Sequence, residues 1–123
     1  KKIGAYERIV LLEEPFDETN DIDVSGIGLT VAADESVHDE VDAIRKIERG
    51  YKAFALKPIA KTITITNRVA KIALKNNINV FCADLTVTPM LVEINKNYAA
   101  RLPAIKGMKI GIIESNGAQN YTN

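Results

Sequence analysis

The sequence contains very little cysteine, no tryptophan and no excess of charge of either sign. Its 123 residues include a single cysteine, Cys82, which excludes an intrachain disulfide and predicts a reducing, cytoplasmic location. Lys and Arg together number 16, as do Asp and Glu, so the formal net charge is zero. Because nucleic acids and anionic membranes both select clustered positive charge, neither is expected as a partner.

Long hydrophobic runs are also missing, since no apolar stretch approaches the roughly 20 residues that span a bilayer. Hydrophobic residues make up 46% of the chain and charged residues 26%, which excludes a largely disordered protein. The length is sufficient for one domain with its own core.

Five short apolar or β-branched segments alternate with helical patterns: Ile9–Leu12, Leu29–Ala33, Ala53–Leu56, Asn79–Cys82 and Met108–Ile113. Their apolar residues are continuous, as is typical of parallel strands buried on both faces. The predicted order is βαβαβαβαβ, an α/β fold with right-handed crossovers. The first spacer allows at most a short helix around 21–25. This alternation fits both an open doubly wound sheet and part of a barrel.

The clearest predicted helix lies in the second spacer, where four apolar residues form a stripe: Val37, Val41, Ile44 and Ile47. Ser36 is the predicted N-cap of this helix, and Gly50 is the predicted left-handed residue that ends it. Similar apolar stripes predict a third helix that carries Ile65, Val69, Ile72 and Ala73 and stops at Asn76-Asn77. They also predict a fourth helix with the stripe Leu91, Ile94 and Tyr98, capped by Thr88 before Pro89 and ending near Arg101.

An ionisable residue follows each predicted strand: Glu13, Asp34, Lys57, Asp84 and Glu114. They are spaced by about one βα unit each, so their side chains should meet at the carboxyl edge of the sheet, where α/β folds bind ligands. Two carboxylates on adjacent strands suit Mg²⁺, and a lysine beside a divalent cation is pushed towards its proton-accepting form. Polar loop residues also cap helices, which explains any single member equally well.

Three of these motifs resemble the enolase superfamily, in particular its muconate-lactonising and mandelate racemase-like members. Residues 11–15 (LLEEP) are similar to the strand-four motif, whose first Glu binds Mg²⁺. Residues 32–36 (AADES) are similar to the strand-five motif with its metal-binding Asp, and residues 54–58 (FALKP) to the strand-six motif with its acid/base Lys. Asp84 and Glu114 fall on strands seven and eight, so the resemblance covers essentially the whole chain.

The resemblance implies strands four to eight of a modified TIM barrel. Residues 1–123 then form the C-terminal portion of the barrel domain, with the first strands and the capping domain absent from this chain. It also implies that Glu13 and Asp34 bind Mg²⁺, that Lys57 is an acid/base, and that Asp84 and Glu114 are catalytic. Lys61 is an alternative to Lys57.

The implied activity is that of an isomerase or lyase: a racemase, epimerase, cycloisomerase or dehydratase. Enolase-superfamily sites use a Lys or His base with Mg²⁺ to remove the proton α to a substrate carboxylate and stabilise the enediolate. The isolated chain is expected to lack turnover. Because an incomplete barrel leaves strand edges open, it is also expected to form homo-oligomers.

The substrate implied by the resemblance is a small carboxylate. Residues 114–116 read Glu-Ser-Asn, whereas dipeptide epimerases have Asp-x-Asp there, which argues against a dipeptide. Residues 58–62 lack the paired glycines usual after the strand-six lysine. Asp84 lies where mandelate racemase-like enzymes carry His, and a carboxylate there suits a second base or a contact to a hydroxyl, as for a sugar acid.

The alternative is a small self-contained signalling or binding domain with a receiver-like, doubly wound fold. Such a domain has similar length, five strands, an acidic pair and a lysine. A receiver carries its acceptor Asp on strand three and its Lys on strand five. This chain has Asp34 after its second predicted strand and Lys57 after its third, so the order favours the enolase-type interpretation.

Overall fold

Residues 3–83 and 88–115 are described by the structure, a computed structural model, and their five strands form one parallel sheet. After a 3-10 turn at Tyr6–Arg8 the elements are β1 (Leu12–Glu13), β2 (Val31–Ala33), α1 (Glu40–Glu48), β3 (Ala53–Leu56), α2 (Ile63–Lys75), β4 (Asn79–Ala83), α3 (Pro89–Ala99) and β5 (Ile113–Glu114). The sheet is curled into a half-barrel, which confirms the predicted partial TIM barrel.

The strands lie in the sheet in the same order as in the chain, β1-β2-β3-β4-β5. A doubly wound receiver-like sheet instead reverses direction, with its first strand between the second and the third. The receiver-like alternative is therefore wrong, because a sheet that adds each strand on the same side curls towards a barrel.

The crossover from β1 to β2 contains no helix, so the predicted βαβ order is wrong at its first helix. Two aspartates in this segment make contacts that do not belong to a helix. Asp23 accepts a hydrogen bond from Ser25 N at 2.8 Å, and Asp21 forms an ion pair at 2.5 Å with Arg49, the C-cap of α1. Asp side chains that bind local backbone in this way compete with helix formation.

Both edge strands are shorter than the apolar runs that predicted them. In β1 the paired residues are Leu12 and Glu13, while Ile9 and Val10 are exposed. In β5 the paired residues among those described are Ile113 and Glu114, whereas the sequence predicts a strand over 108–113. An edge strand has a neighbour on one side only, so apolar composition alone does not determine where its pairing begins.

The first helix begins later than predicted and buries a different face. Asp39, not Ser36, is its N-cap and accepts hydrogen bonds from Val41 N and Asp42 N at 2.8 and 3.1 Å. This start rotates the helix so that Val41 is 72% exposed, whereas Ala43 and Lys46 are buried. Of the predicted stripe, Val37 and Ile47 do pack in the larger core cluster, whereas Val41 and Ile44 are exposed, so the prediction is wrong for its two middle residues.

The predicted ends of the helices agree better with the structure than the predicted start of α1 does. Gly50 has φ +85°, which confirms the left-handed stop after α1. In α2, Val69 and Ala73 are buried as predicted, and the helix ends at Lys75. In α3, which ends at Ala99, Ile94 is 42% exposed while Asn95 is buried, so the predicted stripe of that helix is displaced by one residue.

The sheet has two differently packed faces. The helices cover the outer face, which contributes strand residues such as Val31, Phe54 and Val80 to the larger core cluster. The opposite face, called the inner face below, is built mainly of small side chains: Ala32, Ala53, Ala55, Phe81, Ala83 and Ile105. No helix in the described ranges is long and apolar enough to cross a membrane.

Candidate active site

The strand register places four of the five predicted site residues on the inner face. Glu13 pairs with Ala32, and Glu114 pairs with Ala83, both of which belong to the inner-face cluster. Side chains alternate along a strand, so Asp34 follows Ala32 on that face, and Lys57 follows Ala55 in the same way. The fifth predicted residue, Asp84, lies outside the described residues.

Asp34 and Lys57 form a buried ion pair at the carboxyl ends of β2 and β3. Lys57 Nζ lies 2.7 Å from Asp34 Oδ2, and each residue is 5% exposed. The exposed Glu35 carboxylate lies 3.5 Å from the same ammonium. Burial lowers the pKa of Lys57, but the hydrogen bond and charge of Asp34 outweigh burial and raise that pKa above its ordinary value. Lys57 is therefore held protonated in this geometry.

Glu13 is half-buried beside this ion pair, at the end of β1. Burial, followed by repulsion from Asp34 and Glu114, raises the pKa of Glu13 to about 7, and attraction to Lys57 offsets part of the effect. The side chains of these four residues therefore interact electrostatically. A negative charge on Glu13, in addition to that on Asp34, is therefore unfavourable at this edge of the sheet unless further positive charge accompanies it.

The residue next to Glu13 has a different role, which the sequence motif did not predict. Glu14 lies at φ +29° and directs its carboxylate to the loop after β2. Its Oε2 accepts hydrogen bonds from Asp34 N at 2.6 Å, Ser36 N at 3.3 Å and Ser36 Oγ at 2.9 Å. Ser36, predicted as a helix cap, is thus a partner of Glu14.

Lys61, the alternative acid/base, binds the same loop from the other side. Its ammonium donates hydrogen bonds to Asp34 O at 2.9 Å and to Val37 O at 2.5 Å. It is half-buried, in contrast to a solvated lysine at a helix start. Burial lowers the pKa of Lys61, and its ammonium contacts backbone carbonyls of the loop, whereas Lys57 is paired with a carboxylate.

Glu114 lies at the far side of the group, on the edge strand β5, and is exposed. Two cavities of about 530 and 470 Å³ lie against α3, and neither is lined by a predicted site residue.

The donor atoms fit Mg²⁺ as a partial ligand set. Glu13 Oε1 and Asp34 Oδ1 are buried oxygens without a hydrogen-bond partner. Within 3–83 and 88–115, no group of three or more His, Cys, Asp or Glu side chains is arranged to hold a metal ion. Since Mg²⁺ keeps several waters and takes one or two protein carboxylates in many sites, these two oxygens suit it.

Comparisons with known proteins agree on the fold. No protein-family model and no curated protein matches the sequence. A mandelate racemase/muconate lactonizing protein from Herpetosiphon aurantiacus is 18% identical, with a TM-score of 0.73 over 90% of this chain and 32% of its own. A mandelate racemase/muconate lactonizing enzyme from Roseiflexus sp. is 16% identical, with a TM-score of 0.75 over 96% of this chain and 35% of its own.

A third solved structure, a substrate-liganded L-Ala-D/L-Glu epimerase from Bacillus subtilis, is 16% identical, with a TM-score of 0.71 over 90% of this chain and 31% of its own. The chain thus spans about a third of the length of each of these proteins. Its parallel half-barrel, with an acidic and basic group at the carboxyl edge, therefore has the fold of a segment of the mandelate racemase/muconate lactonizing enzyme barrel.

Proposed function

We propose that this chain is the C-terminal barrel portion of a Mg²⁺-dependent isomerase or lyase that moves the proton α to a substrate carboxylate. The observation that supports this most directly is the convergence of Glu13, Asp34 and Lys57 on the inner face, with Lys57 and Asp34 paired at 2.7 Å. The reaction class comprises racemisation, epimerisation, cycloisomerisation and dehydration. Its substrate is a small carboxylate such as a sugar acid.

In this proposal Glu13 and Asp34 hold the metal through their unpartnered oxygens. Bound there, Mg²⁺ supplies positive charge that stabilises the negative charge developing on a substrate carboxylate.

Lys57 handles the proton in this proposal. Lys57 directly follows the fully buried strand β3, and Asp34 holds its Nζ protonated, so the ammonium is prepared to deliver a proton to carbon. Removing a proton from carbon requires the neutral amine, and therefore a weaker hold by Asp34. Glu114, and Asp84 as a second base or hydroxyl contact, complete the proposed catalytic set.

The metal assignment is tested on this chain with Mn²⁺, which binds at the same kind of oxygen site as Mg²⁺. Paramagnetic broadening of the amide signals of Glu13 and Asp34 is expected in the wild type. Broadening is expected to disappear in Asp34→Ala and to weaken in Glu13→Gln. The exposed Glu7 gives the matched control, since Glu7→Gln should broaden like the wild type. Equal broadening in Asp34→Ala would contradict the assignment.

The proton-transfer role of Lys57 is tested in a longer protein, in which this chain is joined to the remaining strands of a barrel. Lys57→Ala is expected to slow exchange of the substrate α-proton with D₂O by about 10²-fold or more, the usual scale for a positioned acid/base. Lys71→Ala, on the exposed face of α2, is the control. Exchange at the wild-type rate in Lys57→Ala would transfer the role to Lys61 or to another strand.

A further inference from the structure

The backbone of Asp34 is held by two charged side chains of opposite sign. Glu14 Oε2 accepts the Asp34 N–H at 2.6 Å, and Lys61 Nζ donates to the Asp34 carbonyl at 2.9 Å. Both peptide groups that flank the Asp34 Cα are therefore fixed. Hydrogen bonds to charged groups are roughly twice as strong as neutral ones, so this arrangement restricts the direction of the Asp34 side chain.

Each of the two side chains also fixes the loop one step further along. Glu14 binds Ser36 through both its N–H and its hydroxyl, and Lys61 binds the carbonyl of Val37 at 2.5 Å. Ser36 and Val37 are themselves 3% exposed. The loop after β2 is thus attached to the end of β1 on one side and to the start of α2 on the other.

Glu14 adopts a backbone conformation that residues with side chains rarely take, with φ +29°. This turn separates the two adjacent glutamates, because Glu13 stays on the inner face while Glu14 reaches the β2 loop. Strained residues of this kind are retained where the surrounding structure needs them, and they concentrate at functional sites.

We propose that Glu14 and Lys61 are positioning residues, which aim the Asp34 carboxylate at the inner face beside Glu13 and Lys57. The inference rests on the proposed function, in which Asp34 is a metal ligand. Groups that orient a ligating carboxylate commonly change metal affinity by 10- to 100-fold. Neither side chain contacts the metal or the substrate in this proposal.

The first test needs no metal and follows the ¹³Cγ signal and the amide hydrogen exchange of Asp34 by NMR. Glu14→Gln keeps an acceptor but loses the charge, and Lys61→Met loses both donor and charge. Each is expected to shift the Asp34 ¹³Cγ signal, and Glu14→Gln to speed Asp34 amide exchange about tenfold, because a neutral acceptor is the weaker partner. Lys61→Arg, which retains charge and donors, is expected to restore the wild-type signal.

The second test measures Mn²⁺ broadening of the Asp34 amide in the same variants. Lys61→Met and Glu14→Gln are expected to need about tenfold more Mn²⁺ for equal broadening. This is the lower end of the usual effect of removing a residue that orients a metal ligand. Lys61→Arg should need less than about threefold more. Lys71→Met, on the exposed face of α2, is the control and should behave as the wild type.

The two tests separate failure of the inference from failure of the proposed function. Absence of Mn²⁺ broadening in the wild type would contradict the metal assignment alone, and the ¹³Cγ signal would still decide the inference. Unchanged Asp34 signals in Glu14→Gln and Lys61→Met would overturn the positioning roles. Changed Asp34 signals with wild-type Mn²⁺ affinity would also overturn them, as would loss of thermal stability without any change at Asp34.

Discussion

Lys57 Nζ and Asp34 Oδ2 lie 2.7 Å apart, and the two residues that carry them are each 5% exposed. Removing one member of a buried pair leaves the other charge without compensation. Lys57→Met is therefore expected to lower the free energy of unfolding by about 3 kcal/mol. Urea denaturation measures this change, and the exposed Lys71→Met should lie within about 0.5 kcal/mol of the wild type.

A double variant distinguishes the loss of the ion pair from the loss of packing by the lysine stem. Asp34→Asn combined with Lys57→Met removes both charges, so the double variant should be more stable than Lys57→Met alone by about 1–2 kcal/mol. A double variant as unstable as the sum of the two single variants would show that the side chains do not interact.

The raised pKa of Glu13 predicts that the stability of the fold decreases as the pH rises. Its pKa is raised from 4.5 to about 7 in the folded chain, chiefly by burial. The folded state therefore binds more protons than the unfolded state between these two values, and stability decreases with rising pH across that window. In EDTA, the melting temperature of the wild type is expected to fall more between pH 5 and pH 8 than that of Glu13→Gln. Parallel curves would contradict the prediction, and Glu7→Gln should follow the wild type.

Gly50, which follows the C-cap of α1, is expected to tolerate substitution poorly. It has φ +85°, and a Cβ at this position would lie 2.7 Å from Ser25 N. Gly50→Ala should therefore lower the free energy of unfolding by about 1–3 kcal/mol, as expected for a strained backbone position. Gly26 gives the matched control, because a Cβ there meets no atom within 4 Å. Thermal denaturation that shows equal stability for the two variants would contradict the argument.

Self-association remains a prediction, and the two sheet edges suggest where it occurs. Val10 is 42% exposed before β1, and Ile110 is 72% exposed before β5. Exposed apolar residues beside an unpaired strand favour pairing with another chain, and edge lysines oppose it. Multi-angle light scattering should therefore give a mass above 13.5 kDa that falls in Ile110→Lys. Ile63→Lys, on α2, should keep the wild-type mass, and a monomeric wild type would refute the prediction.

The central strands were predictable because their apolar runs are buried on both faces. The predicted strand Ala53–Leu56 matches β3 without change. The ionisable residues that follow the second and third predicted strands are Asp34 and Lys57, and the structure pairs them. The edge strands and α1 were predicted less well. The N-cap of α1 depends on whether Ser36 or Asp39 is free to bind backbone amides, and the contact of Ser36 with Glu14 is set by tertiary structure.

The roles of Glu14 and Lys61 were not predictable from residue spacing. Adjacent residues at a strand end normally face opposite sides of the sheet, but the left-handed backbone of Glu14 changes that direction. Lys61 precedes α2 by two residues, where a lysine is ordinarily solvated. In this chain the β2 loop supplies carbonyl oxygens close enough to bind it, and this proximity follows only from the assembled sheet.

The shared inner-face register of Glu13, Asp34, Lys57 and Glu114 constrains how the length of this chain can change. Each side chain reaches the inner face because its strand keeps the two-residue alternation up to its carboxyl end. A one-residue deletion inside β3 would move Lys57 to the helix-covered face, where its ammonium would meet apolar side chains. Insertions between Asn76 and Ile78 leave the alternation untouched. A change of length should therefore be tolerated in a loop that precedes a strand, whereas within a strand it should disrupt the site.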